Sequence, residues 1–326
     1  MSLSLVRAGF LTTAQDLGRT GYREVGVSLG GAVDTHGFRV ANLLIGNDES
    51  AAGLEITFGG VQLRFADERL IAWCGGDFDV RFGGKGVPSG HAVLVDASET
   101  LTIDRPRLGC RCWLAISGGI DVPVVLGSRS TDLRASFGGF EGRKLQDDDG
   151  IPLGTNLAGT KKLMERLRKE KVGGWKPPQD WSSSAKRDPV LRLVPGSEWK
   201  RFDSSILQRF TGEKFRVSPD SDRMGVRFEG PELKESGELL SEAVAPGTVQ
   251  VPPSGKPILL LNDCQTIGGY PKIGHVITVD LPIAAQLRAG DEVRFRETSL
   301  ADAHHLLVDR ARHLEQFRRG LEPHFA

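Results

Sequence analysis

Residues Val251–Leu281 read VPPSGKPILLLNDCQTIGGYPKIGHVITVDL. The apolar run Pro257-Ile258-Leu259-Leu260-Leu261 predicts a fully buried strand. It stops at Asn262, Asp263, Cys264 and Gln265 and passes through Thr266 and the turn-forming pair Gly268-Gly269. After Tyr270-Pro271-Lys272 it resumes as a β-branched run from Ile273 to Val279. A core strand that ends in carboxylate, amide and ammonium groups, beside glycines that let backbone come close, is how a β scaffold presents a polar site. The competing expectation is an ordinary hairpin with solvated polar residues.

The same pattern extends outward. Short β-branched runs at Leu54–Phe58, Leu70–Trp73, Ala92–Val95, Leu101–Ile103, Trp113–Ile116, Val190–Val194 and Val293–Phe295 are separated by Gly, Pro and Asp. They predict a mostly β protein of barrels or sandwiches with few helices. Helical spacing is clear over Val33–Ile45, over Leu157–Lys169 with Asn156 as its cap, and over Leu300–Phe317. On the last of these, His304, His305 and His313 are expected to face solvent rather than a metal. Residues 169–188, KEKVGGWKPPQDWSSSAKRD, mix charge with Gly-Gly, Pro-Pro and a Ser triplet, and read as a linker. The expected organisation is therefore 1–168, a linker over 169–188, 189–299, and a C-terminal helix and tail over 300–326. A faint internal echo, Leu54–Leu63 against Gly225–Leu233 and Ser98–Ile103 against Ala289–Phe295, agrees with two similar halves.

With 326 residues the chain is long enough for two ordinary domains, and its formal charge of zero leaves no electrostatic footprint for nucleic acid or an anionic membrane. The four cysteines, Cys74, Cys110, Cys112 and Cys264, lack metal-ligand spacing and read as reduced thiols. No secretory leader or long apolar span is expected, so the reading is a cytoplasmic protein without a bound metal. The phosphate loop, HExxH, GxSxG elbow and dinucleotide fingerprint are all absent, so any nucleotide would be held by scattered residues.

Lys272, wedged between Pro271 and an apolar strand, suits a phosphate or a developing oxyanion, against the alternative of a snorkelling surface lysine. Asp263 reads as the group that orients this lysine or acts as a base. Gln265 and Tyr270 supply neutral groups for a planar amide, and Cys264 reads as an inert structural thiol. Asp34, just ahead of the first helix with His36, reads as its N-cap. Arg129, Ser130 and Arg143 lie in Gly-rich loops, where two arginines suit a carboxylate or phosphate as well as they suit surface acids. Arg223 has the same ambiguity.

The chain resembles the KipA-like, or allophanate hydrolase subunit 2-like, family. The residues that carry the resemblance are Gln265-Thr266-Ile267-Gly268-Gly269-Tyr270-Pro271-Lys272-Ile273, Thr12–Tyr22, Gly31–Asp34, Ala41–Asn47, Gly127–Asp132, Gly138-Gly139 with Gly142-Arg143, and Ser221–Gly225, in the family's order. The resemblance implies two cyclophilin-like β-barrel subdomains in one chain, with Asn42 and Glu55 on a pocket wall. It also implies the role of the C component in an ATP-dependent 5-oxoprolinase, which opens a lactam to glutamate. Such a chain works with a smaller, kinase-inhibitor-like B component and with an A component, on a small lactam or amide. Two other roles fit the family: the carboxyltransferase part of a biotin-dependent urea or amide carboxylase, whose biotin would ride on a partner, and antagonism of a kinase-inhibitor protein. The sequence departs from the family at Asn262-Asp263-Cys264, where a basic residue commonly follows the aspartate.

Overall fold

The computed structural model describes residues 1–97, 99–234 and 239–326. Contacts divide the chain into two units. The first comprises Met1–Arg19, Gly30–Ser184 and His313–Ala326, and the second Thr20–Leu29 and Ala185–Arg312.

In the first unit the ladders form two antiparallel sheets rather than one closed ring. One runs Gly150–Pro152, Ser2–Ala8, Val61–Phe65, Thr100–Ile103, Val80–Phe82, Lys85–Gly86; the other runs Leu11–Gln15, Gly53–Thr57, Leu108–Ile116, Arg69–Asp77, Val93–Val95. Leu3, Leu5, Leu63 and Leu101 of the first sheet and Leu54, Ile56, Ile71 and Leu114 of the second share one apolar core. The opposite face of the second sheet, through Leu70, Ala72, Leu94 and Ala115, packs on the helices Thr35–Leu44 and Ala158–Leu167. Both faces of Arg69–Asp77 are thus covered, which is why this strand reads as a continuous apolar run instead of an alternating one. Arg69 is fully buried and donates from Nη1 to Ser117 O at 2.7 Å, Gly154 O at 2.8 Å and Asn156 Oδ1 at 3.2 Å. Asn156, expected to cap the second helix, is therefore engaged elsewhere, and Leu157 holds the N-cap position with no side-chain bond. Asp34 does cap the first helix, its Oδ1 accepting the Gly37 N–H at 2.7 Å.

The expected linker is not one over most of its length. Residues through Ser184 belong to the first unit, where Gly173 N–H donates to Ala92 O at 2.8 Å and Leu94 N–H donates to Lys171 O at 2.8 Å. Its two tryptophans explain why. Trp175 stacks on His324 at 3.9 Å, and Trp181 meets His36 edge-on at 4.7 Å and Phe317 at 5.9 Å, so apolar area outweighs a loop-like composition. The expected first boundary also shifts, because Thr20–Leu29 belongs to the second unit.

The second unit contains a closed barrel of seven strands: Val190–Pro195, Lys272–Val276, Thr248–Gln250, Ile258–Leu260, Gly225–Glu229, Phe215–Val217 and Glu292–Glu297. A parallel pairing of Glu292–Glu297 with Val190–Pro195 closes the ring. Its core is aromatic. Phe210, from the helix Ser204–Gly212, stacks on Phe295 at 4.7 Å, and Phe215 and Phe228 meet Phe295 edge-on at 5.7 and 5.4 Å.

The C-terminal helix runs Leu300–Phe325, further than the spacing predicts. Leu314 and Leu321 are buried in the core of the first unit, while Leu300, Leu307 and Val308 are exposed. His304, His305 and His313 face solvent. No helix among the described residues is long and apolar enough to cross a membrane.

Candidate functional site

Ile258–Leu260 and Lys272–Val276 do not form a hairpin. Thr248–Gln250 lies between them and pairs with both, so the segment between the two runs crosses over a strand. Part of that segment, Ile267–Gly268, pairs instead with Glu242–Ala243 as a separate two-stranded ribbon outside the barrel ladder.

Lys272 is neither a snorkelling surface lysine nor a partner of Asp263. It is 6% exposed, and its ammonium lies between two carboxylates. Glu198 Oε2 is 3.6 Å from Nζ and also accepts the Lys272 backbone N–H at 2.8 Å; Glu242 Oε2 accepts from Nζ on the other side. Glycine sets up the first contact. A side chain at Gly196 would meet Lys272 O at 2.1 Å, so only glycine brings the turn carrying Glu198 this close to the strand. Burial opposes ionisation of Glu198, but hydrogen bonds from Ser197 and the Lys272 backbone, with the lysine's charge, outweigh it and hold the carboxyl below its ordinary range. The ladder slips by one residue at Ile273, since Val249 faces Gly274 while Gln250 faces Lys272. Such a bulge re-aims a side chain, here bringing Lys272 to the side of His275. His275 Nδ1 is 3.2 Å from Thr248 Oγ1, and desolvation of the ring, followed by the Lys272 charge, holds its pKa below the ordinary histidine value.

Asp263 belongs to Arg223. The guanidinium grips both carboxylate oxygens at 2.8 and 3.0 Å, with the side chains 6% and 10% exposed. Cys264 beside it is fully buried, and burial pushes its thiol up, against the opposing pull of the Arg23 guanidinium, which agrees with an inert thiol. Arg23 donates to Val244 O and, at 3.3 Å, to Gln265 O, clipping both sides of the ribbon's base.

A cleft of about 370 Å³ opens beside this cluster, with Gln265, Tyr270, Gln250, Asp222, Arg227 and Lys256 among its walls. Of the residues expected at a site, Gln265 and Tyr270 line this cleft, while Lys272 and Asp263 do not. Gln250 connects the two places: it lies across the ladder from Lys272, and its Oε1 accepts from Gln265 Nε2 at 3.4 Å. Glu198, Glu242, Gln250, Arg227 and Lys256 escape the sequence reading. The carboxylates stand 74 and 30 residues from Lys272 with no local pattern to flag them.

The remaining expected site residues lie in the first unit, held by their own neighbours. Arg129 donates to Val122 O at 2.8 Å and Asp121 Oδ1 at 3.1 Å, while its backbone N–H and the Ser130 hydroxyl both donate to Asp16. Arg143 forks onto Asp149 at 2.7 and 2.9 Å and reaches Glu141 as well, so its guanidinium is engaged by neighbouring carboxylates. Asn42 donates to Ala51 O at 2.9 Å and accepts from Asn47 at 2.9 Å. Glu55, 2% exposed, accepts from Trp113 Nε1 at 2.8 Å and the Val33 N–H at 3.0 Å. Neither lies on a wall of the cleft described above.

The family described as "Carboxyltransferase domain, subdomain A and B" matches residues 25–297. The chain is 39% identical over 322 residues to the C component of Escherichia coli 5-oxoprolinase, with 96% of this chain and 97% of the relative covered. The Haemophilus influenzae protein of the same name is 37% identical, covering 94% of each. The crystal structure of Kluyveromyces lactis urea carboxylase superposes with a TM-score of 0.86 at 26% identity, covering 97% of this chain but 29% of that much longer one. These matches agree with the ordered motifs, and the chain belongs to the carboxyltransferase domain A and B family.

Proposed function

We propose that the chain is the C component of an ATP-dependent 5-oxoprolinase that acts in the cytoplasm together with A-like and B-like partners. The observation that carries this reading is end-to-end similarity to the C component of Escherichia coli 5-oxoprolinase, which covers 96% of this chain and 97% of that one. The chemistry requires activation of a poor electrophile. Transfer of a phosphoryl group from ATP to the lactam oxygen makes the ring carbon attackable. One water adds and the carbon–nitrogen bond breaks to leave an acyl phosphate; a second water hydrolyses this to glutamate, phosphate leaving with the former carbonyl oxygen. Positioning and charge stabilisation dominate such a reaction. In this reading Gln265 and Tyr270 hold the planar lactam in the cleft. Arg227 and Lys256 supply cations for phosphoryl oxygens, and Lys272, across the ladder from the cleft residue Gln250, supplies a fixed positive charge. Arg223 and Asp263 act together as a rigid brace for the strand end.

Co-expression with the A-like and B-like proteins tests this. The assembled complex is expected to release glutamate from 5-oxoproline only with ATP, with one ADP formed per glutamate. Absence of turnover by an intact complex rules the reading out.

A second reading is favoured by the superposition on urea carboxylase at a TM-score of 0.86: a carboxyltransferase component served by a biotin-bearing partner. Avidin-sensitive carboxylation of urea or an amide would mark it, and avidin leaves an oxoprolinase unaffected.

A further inference from the structure

Two carboxylates share the Lys272 ammonium, but they differ in kind. The Glu198 side chain is 10% exposed, and it is tied to the Lys272 backbone as well as to the ammonium. This one carboxylate already neutralises the buried lysine. The Glu242 side chain is 60% exposed and comes from the ribbon Glu242–Ala243 with Ile267–Gly268, outside the barrel ladder. Arg23 fastens the base of that ribbon at Val244 O and Gln265 O, leaving the Glu242 end beyond the clip. An ion pair with one solvated member contributes little to stability and is exchanged at little cost, whereas a buried pair is not. Glu242 is therefore the replaceable counter-ion.

What replaces it follows from charge and shape. Lys272 is two residues beyond Tyr270 and across the ladder from Gln250, both of which line the cleft. An incoming monoanionic carboxylate keeps the charge around the ammonium unchanged when Glu242 leaves. A phosphate dianion would add a further negative charge next to the Glu198 carboxylate. We propose that Glu242 holds the place on Lys272 that a substrate carboxylate takes, so that ligand binding swaps one carboxylate for another and releases the ribbon. Identifying the ligand as 5-oxoproline, a lactam carrying one carboxylate, rests on the functional reading above; the exchange itself rests on the ion-pair geometry.

Calorimetry on the full chain, in complex with its partner proteins, tests the exchange with four probes: 5-oxoproline, its ring without the carboxylate (2-pyrrolidinone), cyclopentanecarboxylate and inorganic phosphate. Glu242→Gln is expected to bind both carboxylates about fivefold more tightly than the parent, the factor corresponding to loss of a competing exposed ion pair. Binding of 2-pyrrolidinone and phosphate is expected to stay unchanged, and Lys272→Met to abolish the preference for carboxylates. Glu242→Ala supplies the same comparison should the glutamine variant fold poorly. Carboxylate binding that is unchanged or weaker in both Glu242 variants overturns the proposal, and tightening of phosphate alone assigns the place to a phosphoryl group and overturns the carboxylate assignment. A complex inactive on 5-oxoproline whose Glu242→Gln variant still binds cyclopentanecarboxylate more tightly would remove the oxoprolinase reading and leave the exchange standing.

Discussion

Glu198 Oε2 lies 3.6 Å from Lys272 Nζ and accepts the Lys272 backbone N–H at 2.8 Å, so one buried carboxylate holds both the main chain and the charged end of a single residue. The lysine's role in binding and its role in stability therefore cannot be separated by a simple truncation.

Lys272→Met is expected to lower turnover of the assembled enzyme by about 10²-fold, the scale for losing a preorganised electrostatic contact. It is also expected to lower stability by about 3 kcal/mol, because it leaves Glu198 buried without its cation. Adding Glu198→Gln should restore much of the stability and none of the turnover. Urea unfolding alongside steady-state rates checks both, and additive stability losses would show that the two residues act separately.

Asp263→Asn is expected to cost about 3 kcal/mol as well, since it removes the negative charge that both nitrogens of the buried Arg223 guanidinium grip. The double variant Arg223→Leu with Asp263→Leu should be more stable than the sum of the two single changes. A thermodynamic cycle by urea denaturation decides this. A cycle on turnover that couples Asp263 to Lys272 instead would restore the sequence-based pairing of those two residues.

His275 should titrate below the ordinary histidine value, because ring desolvation and the Lys272 charge both disfavour the imidazolium. Lys272→Met is expected to raise the midpoint, and Glu198→Gln to lower it. With the folded pKa depressed, the contribution of His275 to stability is complete above the unfolded value of about 6.5. It is lost as the pH falls through the folded midpoint, so His275→Phe should flatten the stability profile on the acidic side. Imidazole NMR shifts followed over pH report the midpoints directly.

Arg143→Gln and Asn42→Ala should reduce stability by roughly 1–2 kcal/mol each, the cost of leaving hydrogen-bonding partners unmet, with KM for 5-oxoproline unchanged. The Arg143 guanidinium is already committed to Asp149 and Glu141, and Asn42 to Ala51 O and Asn47. A rise in KM with stability intact would return either residue to the ligand surface.

Much of this protein is decided by local order in the chain. Alternating and continuous apolar runs determine which stretches become strands, since the pleat and its covered faces are written in adjacent residues; Asp34 caps its helix for an equally local reason. The ordered motifs determine family membership, and Gln265 and Tyr270 fall on the cleft because a strand that ends in polar residues at a glycine turn must present them at an edge. What the sequence could not determine is pairing at a distance. Lys272 takes Glu198 and Glu242 rather than the nearer Asp263, because the intervening strand Thr248–Gln250 and the bulge at Ile273 set its direction. The stretch 169–188 has the composition of a linker, yet Trp175 and Trp181 bind most of it into the first unit, since the value of a buried ring depends on what it meets. Charge partners and buried rings are chosen by three-dimensional proximity, which closes only when the barrel and sheets close; strands and caps are chosen by their neighbours along the chain.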